Sequence, residues 1–302
     1  MMRSFDELLD QARRLPGTRI AVVAPANEET FGAIRDALQS MPAEFFLAGD
    51  EGQIRKSVGT TDRVTVHAAP DPPTALAACL QAVRQGSATV LMKGSIDTAA
   101  MMKGALDVAS GIRTGRLMSD VFIFEYPRAG KLLMITDGGL TVAPTLAEKA
   151  DLIRNAVMVA QALGNPAPKV AVLSATEKVT RAMPSTQDAA ELAAMNRRGE
   201  ITGCVVDGPF ALDNAVDIEA AREKGITSPV AGAADILLLP TIEAANALAK
   251  STTYFAGFRL AHVVVGATIP ILIPSRADKS DAKLLSIALG MLMGLAARRT
   301  PG

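Results

Sequence analysis

The chain has 302 residues, 49% of them hydrophobic and 21% charged, a balance that suits one large α/β unit or two domains with sizeable apolar cores. Lys plus Arg and Asp plus Glu number 31 each, so the basic excess that marks nucleic-acid binders is missing. The two cysteines, Cys79 and Cys204, have neither CxxC nor Cys/His spacing, which argues against structural zinc and a disulfide scaffold. The two histidines, His67 and His262, lie in strand-like runs, so a triad built on a histidine base is hard to assemble.

The N-terminal MMRSFDELLDQARRLPG reads as an amphipathic helix without the apolar run of a signal peptide. Short apolar runs follow at 19–24, 64–68, 89–92, 169–173, 203–206, 235–239, 262–265 and 269–273. Between most of them lie helical patterns, as in 74–83 and 146–163. Strands apolar on both faces, alternating with amphipathic helices, predict mostly parallel sheets covered on both sides. One interruption stands out. The runs 121–126 and 131–136 are separated only by 127–130, too short for a crossover, so they predict an antiparallel hairpin. The glycine-rich ITDGGLTVAPT follows, and Thr145 with Glu148 then forms a capping-box pattern that starts a long helix. This places a domain boundary near 140–145. The longest apolar stretch, 284–297, falls short of the roughly 18 residues of a membrane span, which points to a cytoplasmic protein with no membrane partner.

Four segments hold residues suited to chemistry at strand ends, where open α/β sheets collect ligands. In ATVLMKGSIDTAAMMKGALDVA a buried strand ends at Met92, the turn Lys93-Gly94-Ser95 follows, and a helix starts near Asp97. Free amides there and the Lys93 ammonium suit an anion, although GxxxxGK[ST] is absent. In GCVVDGPFALDNA, Asp207-Gly208-Pro209 ends a strand and Asp213 stands six residues after Asp207; a plain turn with Asp213 as an N-cap explains the same residues. In GAADILLLPTIEAANALAK a helix after Pro240 sets Asn246 and Lys250 on one face, which a solvated helix face would also do. In IPILIPSRADKSDAKLLSIAL, Ser275 and Arg276 fall at a strand end and the last helix starts near Ser280 or Asp281, either of which has a capping explanation.

Taken together, these segments resemble the phosphate acetyltransferase and phosphate butyryltransferase family, from about residue 15 to the end and most densely after residue 88. LMKGSIDTAAMMK is similar to the family's strand–loop–helix segment, and VDGPFALDNAV to its DGP segment. FIFEYPRAGKLLMITDGGLTVAPTLAEKADLIRNAV resembles the butyryltransferase-type hairpin and its following helix. GAADILLLPTIEAANALAK and PSRADKSDAKLLSIAL resemble the family's proline–asparagine–lysine pattern and its serine–arginine motif.

The resemblance implies a two-domain, isocitrate/isopropylmalate dehydrogenase-like α/β fold with mostly parallel sheets and an interdomain cleft. One domain would comprise 1–142 plus 271–302 and the other 143–270. It implies a cytoplasmic homodimer that exchanges a short acyl group between coenzyme A and inorganic phosphate through a ternary complex, with no metal and no tightly bound cofactor. Ser275, Arg276 and Asp281 would be catalytic, with Asp278 a second possible base, because the position seven residues after the serine, an aspartate in the acetyltransferase branch, is Ala282. Lys93, Gly94, Thr136, Asp137, Asp207, Gly208, Pro209, Asp213, Asn246 and Lys250 would bind substrate. Asp120 stands where relatives often carry histidine, and with Ala282 this favours the butyryltransferase-like branch. The competing readings are a non-catalytic acyl-CoA-binding homologue and an NAD(P)-dependent decarboxylating dehydrogenase. The latter wants clustered aspartates for a metal and a lysine–tyrosine relay, yet the chain has only Tyr126 and Tyr254.

Overall fold

The computed structural model describes residues 1–299. Its elements run α1 (Phe5–Arg13), β1 (Thr18–Val23), α2 (Glu28–Ser40), β2 (Ala43–Gly49), α3 (Glu51–Val58), β3 (Val64–Ala68), α4 (Pro72–Arg84), β4 (Val90–Lys93) and α5 (Thr98–Leu106). The chain continues through β5 (Ser119–Tyr126), β6 (Lys131–Thr136), α6 (Leu146–Ala162), β7 (Lys169–Leu173), α7 (Pro184–Arg197), β8 (Val205–Phe210), α8 (Leu212–Val216), α9 (Ile218–Glu223), β9 (Ile236–Leu238) and α10 (Ile242–Tyr254). It closes with β10 (Leu260–Val265), β11 (Ile271–Leu272) and α11 (Ser280–Arg299).

Two compact units result. The first is Phe5–Arg116 with the chain from Arg259 on; the second is Leu117–Phe258 with Met1–Ser4. The divisions therefore fall at 116/117 and 258/259, not at 142/143 and 270/271 as the sequence suggested. Strand pairing is the reason. The β5–β6 hairpin is extended by β9, which pairs parallel with β6, so it cannot leave the second unit. Likewise β10 pairs with β11 and stays with the first.

In the first unit the strand order is β3-β2-β1-β4-β11-β10, parallel except for the β10–β11 pair. Strand β4 (VLMK) and strand β10 (LAHVVV) are buried at every residue, as continuous apolar runs in the middle of a covered sheet should be. Strand β2 (AEFFLAG) is not marked by its sequence pattern, because Glu44 interrupts it. That carboxylate pairs across to Arg19 on β1, at 2.6 Å from Nη2. Asn27, Asp50 and Asp71 cap α2, α3 and α4 with side-chain oxygens, each worth about 1 kcal/mol.

Helix α11 is longer than the sequence reading allowed. Its window Ser280–Ala297 has a mean hydropathy of 1.4 and meets the length of a membrane span, but 56% of it is buried. It packs on α1, α2 and β10, with Leu285, Ile287, Ala288, Leu289 and Met291 inside, as the core helix of its unit. In the second unit the order is β5-β6-β9-β7-β8, with β5–β6 antiparallel and the other pairs parallel. The expected capping box at Thr145 and Glu148 starts α6.

Candidate active site

In the first unit, β11 pairs parallel with β4, Ile271 opposite Leu91 and Leu272 opposite Met92. The two strands therefore end at the same edge, and the turns that follow them, Lys93-Gly94-Ser95 and Ser275-Arg276, leave the sheet side by side. The Lys93 turn is held against the end of β1. Gly94 N–H donates to Val23 O at 2.9 Å and Ser95 N–H to Ala24 O at 2.7 Å. That approach requires glycine: a Cβ on Gly94 would lie 2.6 Å from Ala24 O and closer still to Val23 O. Ala24 itself sits at φ 49°, left-handed backbone that non-glycine residues rarely adopt.

Lys93 is not the surface lysine that a simple turn would carry. It is 4% exposed, with only Ile96 O near its ammonium, at 3.4 Å. Burial holds its pKa below the ordinary lysine value, and the Arg276 charge adds to that. The helix end beyond it offers fewer free amides than its sequence suggests, because Asp97 accepts from the N–H groups of Ala99 and Ala100.

The second turn folds tightly. Ser275 N–H donates to Asp278 Oδ2 at 2.7 Å, Asp278 N–H donates to Ser275 O at 3.2 Å, and Ala277 N–H reaches Ser275 Oγ at 3.3 Å. His262 Nε2 lies 3.8 Å from the same Asp278 Oδ2. The Lys283 ammonium, on the first turns of α11, donates to Ser275 O at 3.1 Å and to Asp278 O. Arg276 is exposed and makes no hydrogen bond or ion pair with any described residue, so its fork is available to an anion.

Asp281 is placed differently from the catalytic position expected of it. Its side chain is 54% exposed and lies 3.4 Å from Arg259 Nε, and Arg259 also bonds Asp6 at 2.9 Å. The helix begins at Ser280, whose N–H and hydroxyl both donate to Glu29 Oε2 at 2.9 Å. Asp281 thus belongs to the helix surface, whereas the preceding turn folds Asp278 back onto Ser275.

In the second unit the parallel strands β6, β9, β7 and β8 also end at one edge. Two of the expected substrate ligands there are occupied by the protein itself. Thr136 is buried and its hydroxyl donates to Asp120 O at 3.2 Å. The buried Asp137 carboxylate accepts from the N–H groups of Gly139, Leu140 and Thr141, at 2.9–3.1 Å, and from the Thr141 hydroxyl at 2.9 Å. These contacts shape the DGGLT loop. Burial first, then the neighbouring Asp120 carboxylate, raises the Asp137 pKa. Asn246 Nδ2 donates to Gly138 O at 2.8 Å, tying α10 to this loop.

Strand β8 runs on to Phe210, so Asp207-Gly208-Pro209 lies inside it and does not end it as the sequence suggested. Asp207 is half-buried and accepts from Gly208 N–H at 2.9 Å, and the Gly208–Pro209 peptide is cis. A Cβ on Gly208 would meet Val172 O at 2.7 Å. Asp213 lies in the first turn of α8 without capping it and pairs with Lys224 at 3.2 Å, an interaction that lowers its pKa. Lys250 is exposed on α10, one turn beyond Asn246. Sequence reasoning did not single out Lys283 or His262 for this site, and only the closed turn gives either a role. Among the described residues, no three His, Cys, Asp or Glu side chains are grouped to hold a metal ion.

A hydroxyl, an unpaired guanidinium, a buried ammonium and a turn-bound carboxylate at the strand ends of an open α/β sheet outline a transferase for anionic substrates. The comparisons with known proteins give that class a family. The family model described as "Phosphate acetyl/butaryl transferase" matches residues 21–291, and the chain belongs to this family. It is 42% identical over 298 residues to the phosphate butyryltransferase of Clostridium beijerinckii, covering 97% of this chain and 98% of that one. The crystal structure of a branched-chain phosphotransacylase from Enterococcus faecalis V583 superposes with a TM-score of 0.83 at 30% identity, covering 92% of this chain and 99% of that one. A 4-hydroxythreonine-4-phosphate dehydrogenase from Klebsiella pneumoniae, at 11% identity, a TM-score of 0.55 and coverage of 92% and 99%, shares the fold alone.

Proposed function

We infer that this chain transfers a short acyl group reversibly between coenzyme A and inorganic phosphate, acyl-CoA and phosphate giving acyl phosphate and free CoA. The observation that carries the reading is the Ser275–Asp278 turn beside the buried Lys93, in a chain whose family is defined by that reaction.

In the direction of acyl-CoA synthesis, the CoA thiol passes its proton to Asp278 and the sulfur attacks the acyl carbonyl. The carbon–oxygen bond to phosphate then breaks and phosphate departs. A free thiol near pKa 8.5 is only a few per cent ionised at neutral pH, so a carboxylate in reach of it accelerates the attack. We assign the base to Asp278 in preference to Asp281, because its carboxylate touches the Ser275 amide while Asp281 is engaged with Arg259. Arg276, with no partner of its own, neutralises the phosphoryl oxygens, and the Ser275 hydroxyl donates to the oxyanion that forms at the carbonyl. Lys93 and Gly94 supply the charge and the close backbone approach at the phosphate. Asp207, Gly208, Pro209, Asp213, Asn246 and Lys250 are proposed to contact substrate.

Holding both substrates in a ternary complex, with no covalent enzyme intermediate, supplies much of the acceleration, up to roughly 7–11 kcal/mol for well-aligned partners. The acyl chain is left to the assay, since the family description spans acetyl and butyryl and the solved relative is a branched-chain enzyme.

The test is a panel of straight and branched short acyl-CoAs, assayed for thiol release with and without phosphate. Release only with phosphate is expected, and none on any member of the panel would remove the reading. A cytoplasmic homodimer is part of the proposal on the strength of the resemblance; sedimentation at the mass of a single chain would refute the dimer, and recovery in the membrane fraction the location.

A further inference from the structure

Lysine at position 283 is costly where it stands. Its side chain is 1% exposed, on a helix face whose neighbours Leu285, Ile287 and Ala288 are buried and apolar. Methionine or leucine would fill such a site without the desolvation that an ammonium suffers there. Burial lowers the Lys283 pKa, against the opposing pull of the Asp278 and Glu29 carboxylates.

The geometry explains what the charge does. Side chains on a helix lean toward its N-terminus, so Lys283 reaches back over the start of α11 to the turn that precedes it. There it donates to the carbonyls of Ser275 and Asp278, the two residues whose backbone and carboxylate close the turn on each other. Ser275 O also accepts from Asp278 N–H, so Lys283 adds a second donor there and ties it to Asp278 O through one ammonium.

Building on the acyl-transfer reading, we propose that Lys283 is a positioning residue: its ammonium locks the Ser275–Asp278 turn and so keeps the Asp278 carboxylate directed at Ser275. Other charges share the surroundings. Lys93 from β4 and His262 from β10 face Asp278, Glu29 from α2 faces Lys283, and Arg276 and Asp97 face Lys93. Lys283 bonds both ends of the turn.

Two variants, Lys283→Met and Lys283→Gln, test this by two readouts. The first is hydrogen exchange of the full-length protein, followed in peptides spanning 273–279 and, as a control, the body of α11. Faster exchange in the turn with unchanged protection in the helix is expected. The second is the split between kcat and KM with phosphate and the best acyl-CoA. We expect kcat to fall roughly 10- to 100-fold, the usual scale for a misplaced catalytic group, with KM within about threefold. A loss of packing alone would lower the folded fraction without splitting kcat from KM in the molecules that remain folded. Lys283→Arg, which keeps the donors, should return kcat toward its wild-type value.

Unchanged exchange in the turn, or kcat within twofold of wild type, overturns the proposal. If Lys283→Met does not fold, Lys283→Gln, which keeps one donor without the charge, decides by the same two readouts. No phosphate-dependent turnover by the wild type would instead remove the acyl-transfer reading, and the exchange measurement would still decide whether Lys283 holds the turn.

Discussion

Lys93 offers the clearest separation of stability from activity. Its ammonium is buried at the end of β4 with one long hydrogen bond, to Ile96 O at 3.4 Å, and the like-charged Arg276 acts on it more strongly than either the Asp97 or the Asp278 carboxylate. Lys93→Met keeps the length and apolar stem of the side chain and removes the charge. Leaving water costs a buried charge several kcal/mol, while a hydrogen bond of this quality returns about 1 kcal/mol at most, so the substitution should stabilise the fold by about 1–3 kcal/mol.

The pH dependence has a definite sign. The folded pKa lies below the unfolded one, so between the two values the unfolded chain binds more protons and stability rises with pH. The penalty that Lys93 imposes is complete below its folded pKa and disappears as pH approaches the unfolded value of about 10.4. The stability advantage of Lys93→Met should therefore be largest at low pH and shrink toward pH 10. Urea unfolding of both proteins across that range measures it directly. In the phosphate-dependent assay the same variant should lose roughly tenfold or more in kcat/KM, with the larger effect on phosphate. A variant destabilised by more than about 1 kcal/mol, or more stable and fully active, would show that the lysine is neither strained by burial nor placed for an anion.

Three further outcomes follow from the site. Arg276→Ala should lose roughly 100- to 1,000-fold in kcat while its unfolding midpoint stays unchanged, since the guanidinium makes no bond with any described residue; a loss below tenfold would misplace the site. Asp278→Asn should lose at least about 100-fold and Asp281→Asn no more than threefold, because an exposed pair such as Asp281–Arg259 is worth about 0–1 kcal/mol. The reverse order would return the base to Asp281. Gly94→Ala should be destabilised by more than about 2 kcal/mol in urea, because its Cβ has only backbone oxygens to push against and they belong to β1; a change within about 0.5 kcal/mol would contradict the close approach.

How much of this was legible depends on the range over which each feature is encoded. The β5–β6 hairpin, the Thr145–Glu148 capping box and the strand-to-turn passage at Lys93 are written in contiguous residues, and the structure shows each where the sequence suggested it. Strand β2 was hidden because Glu44 breaks an apolar run, and its explanation, Arg19, lies on another strand. The unit boundaries were misread for a related reason: a hairpin looks like the end of a domain until β9, a hundred residues later, is seen to extend its sheet. The contacts that Asp137 makes within its loop were not legible either, because Gly139 and Thr141 become its partners only once the turn has closed.

The choice of carboxylate shows most sharply what a linear reading misses. In SRADKSDAK, Asp278 and Asp281 are both aspartates and lie three residues apart, so residue type and spacing cannot separate them. What separates them is where the helix starts, and that is fixed from outside the segment. Glu29, on α2, takes both the N–H and the hydroxyl of Ser280 and so begins α11 there. With the helix pinned at Ser280, Asp281 becomes a first-turn surface acid favoured by the helix dipole. The four residues before it must then turn back, and Lys283 supplies the donors that this turn requires. On the proposed assignment of the base to Asp278, the choice is therefore made jointly by a carboxylate 251 residues from Ser280 and by a lysine eight residues beyond Ser275. Neither belongs to the serine–arginine motif that made the reaction recognisable. Motif residues identify the chemistry, and residues outside the motif decide which group performs its proton transfer.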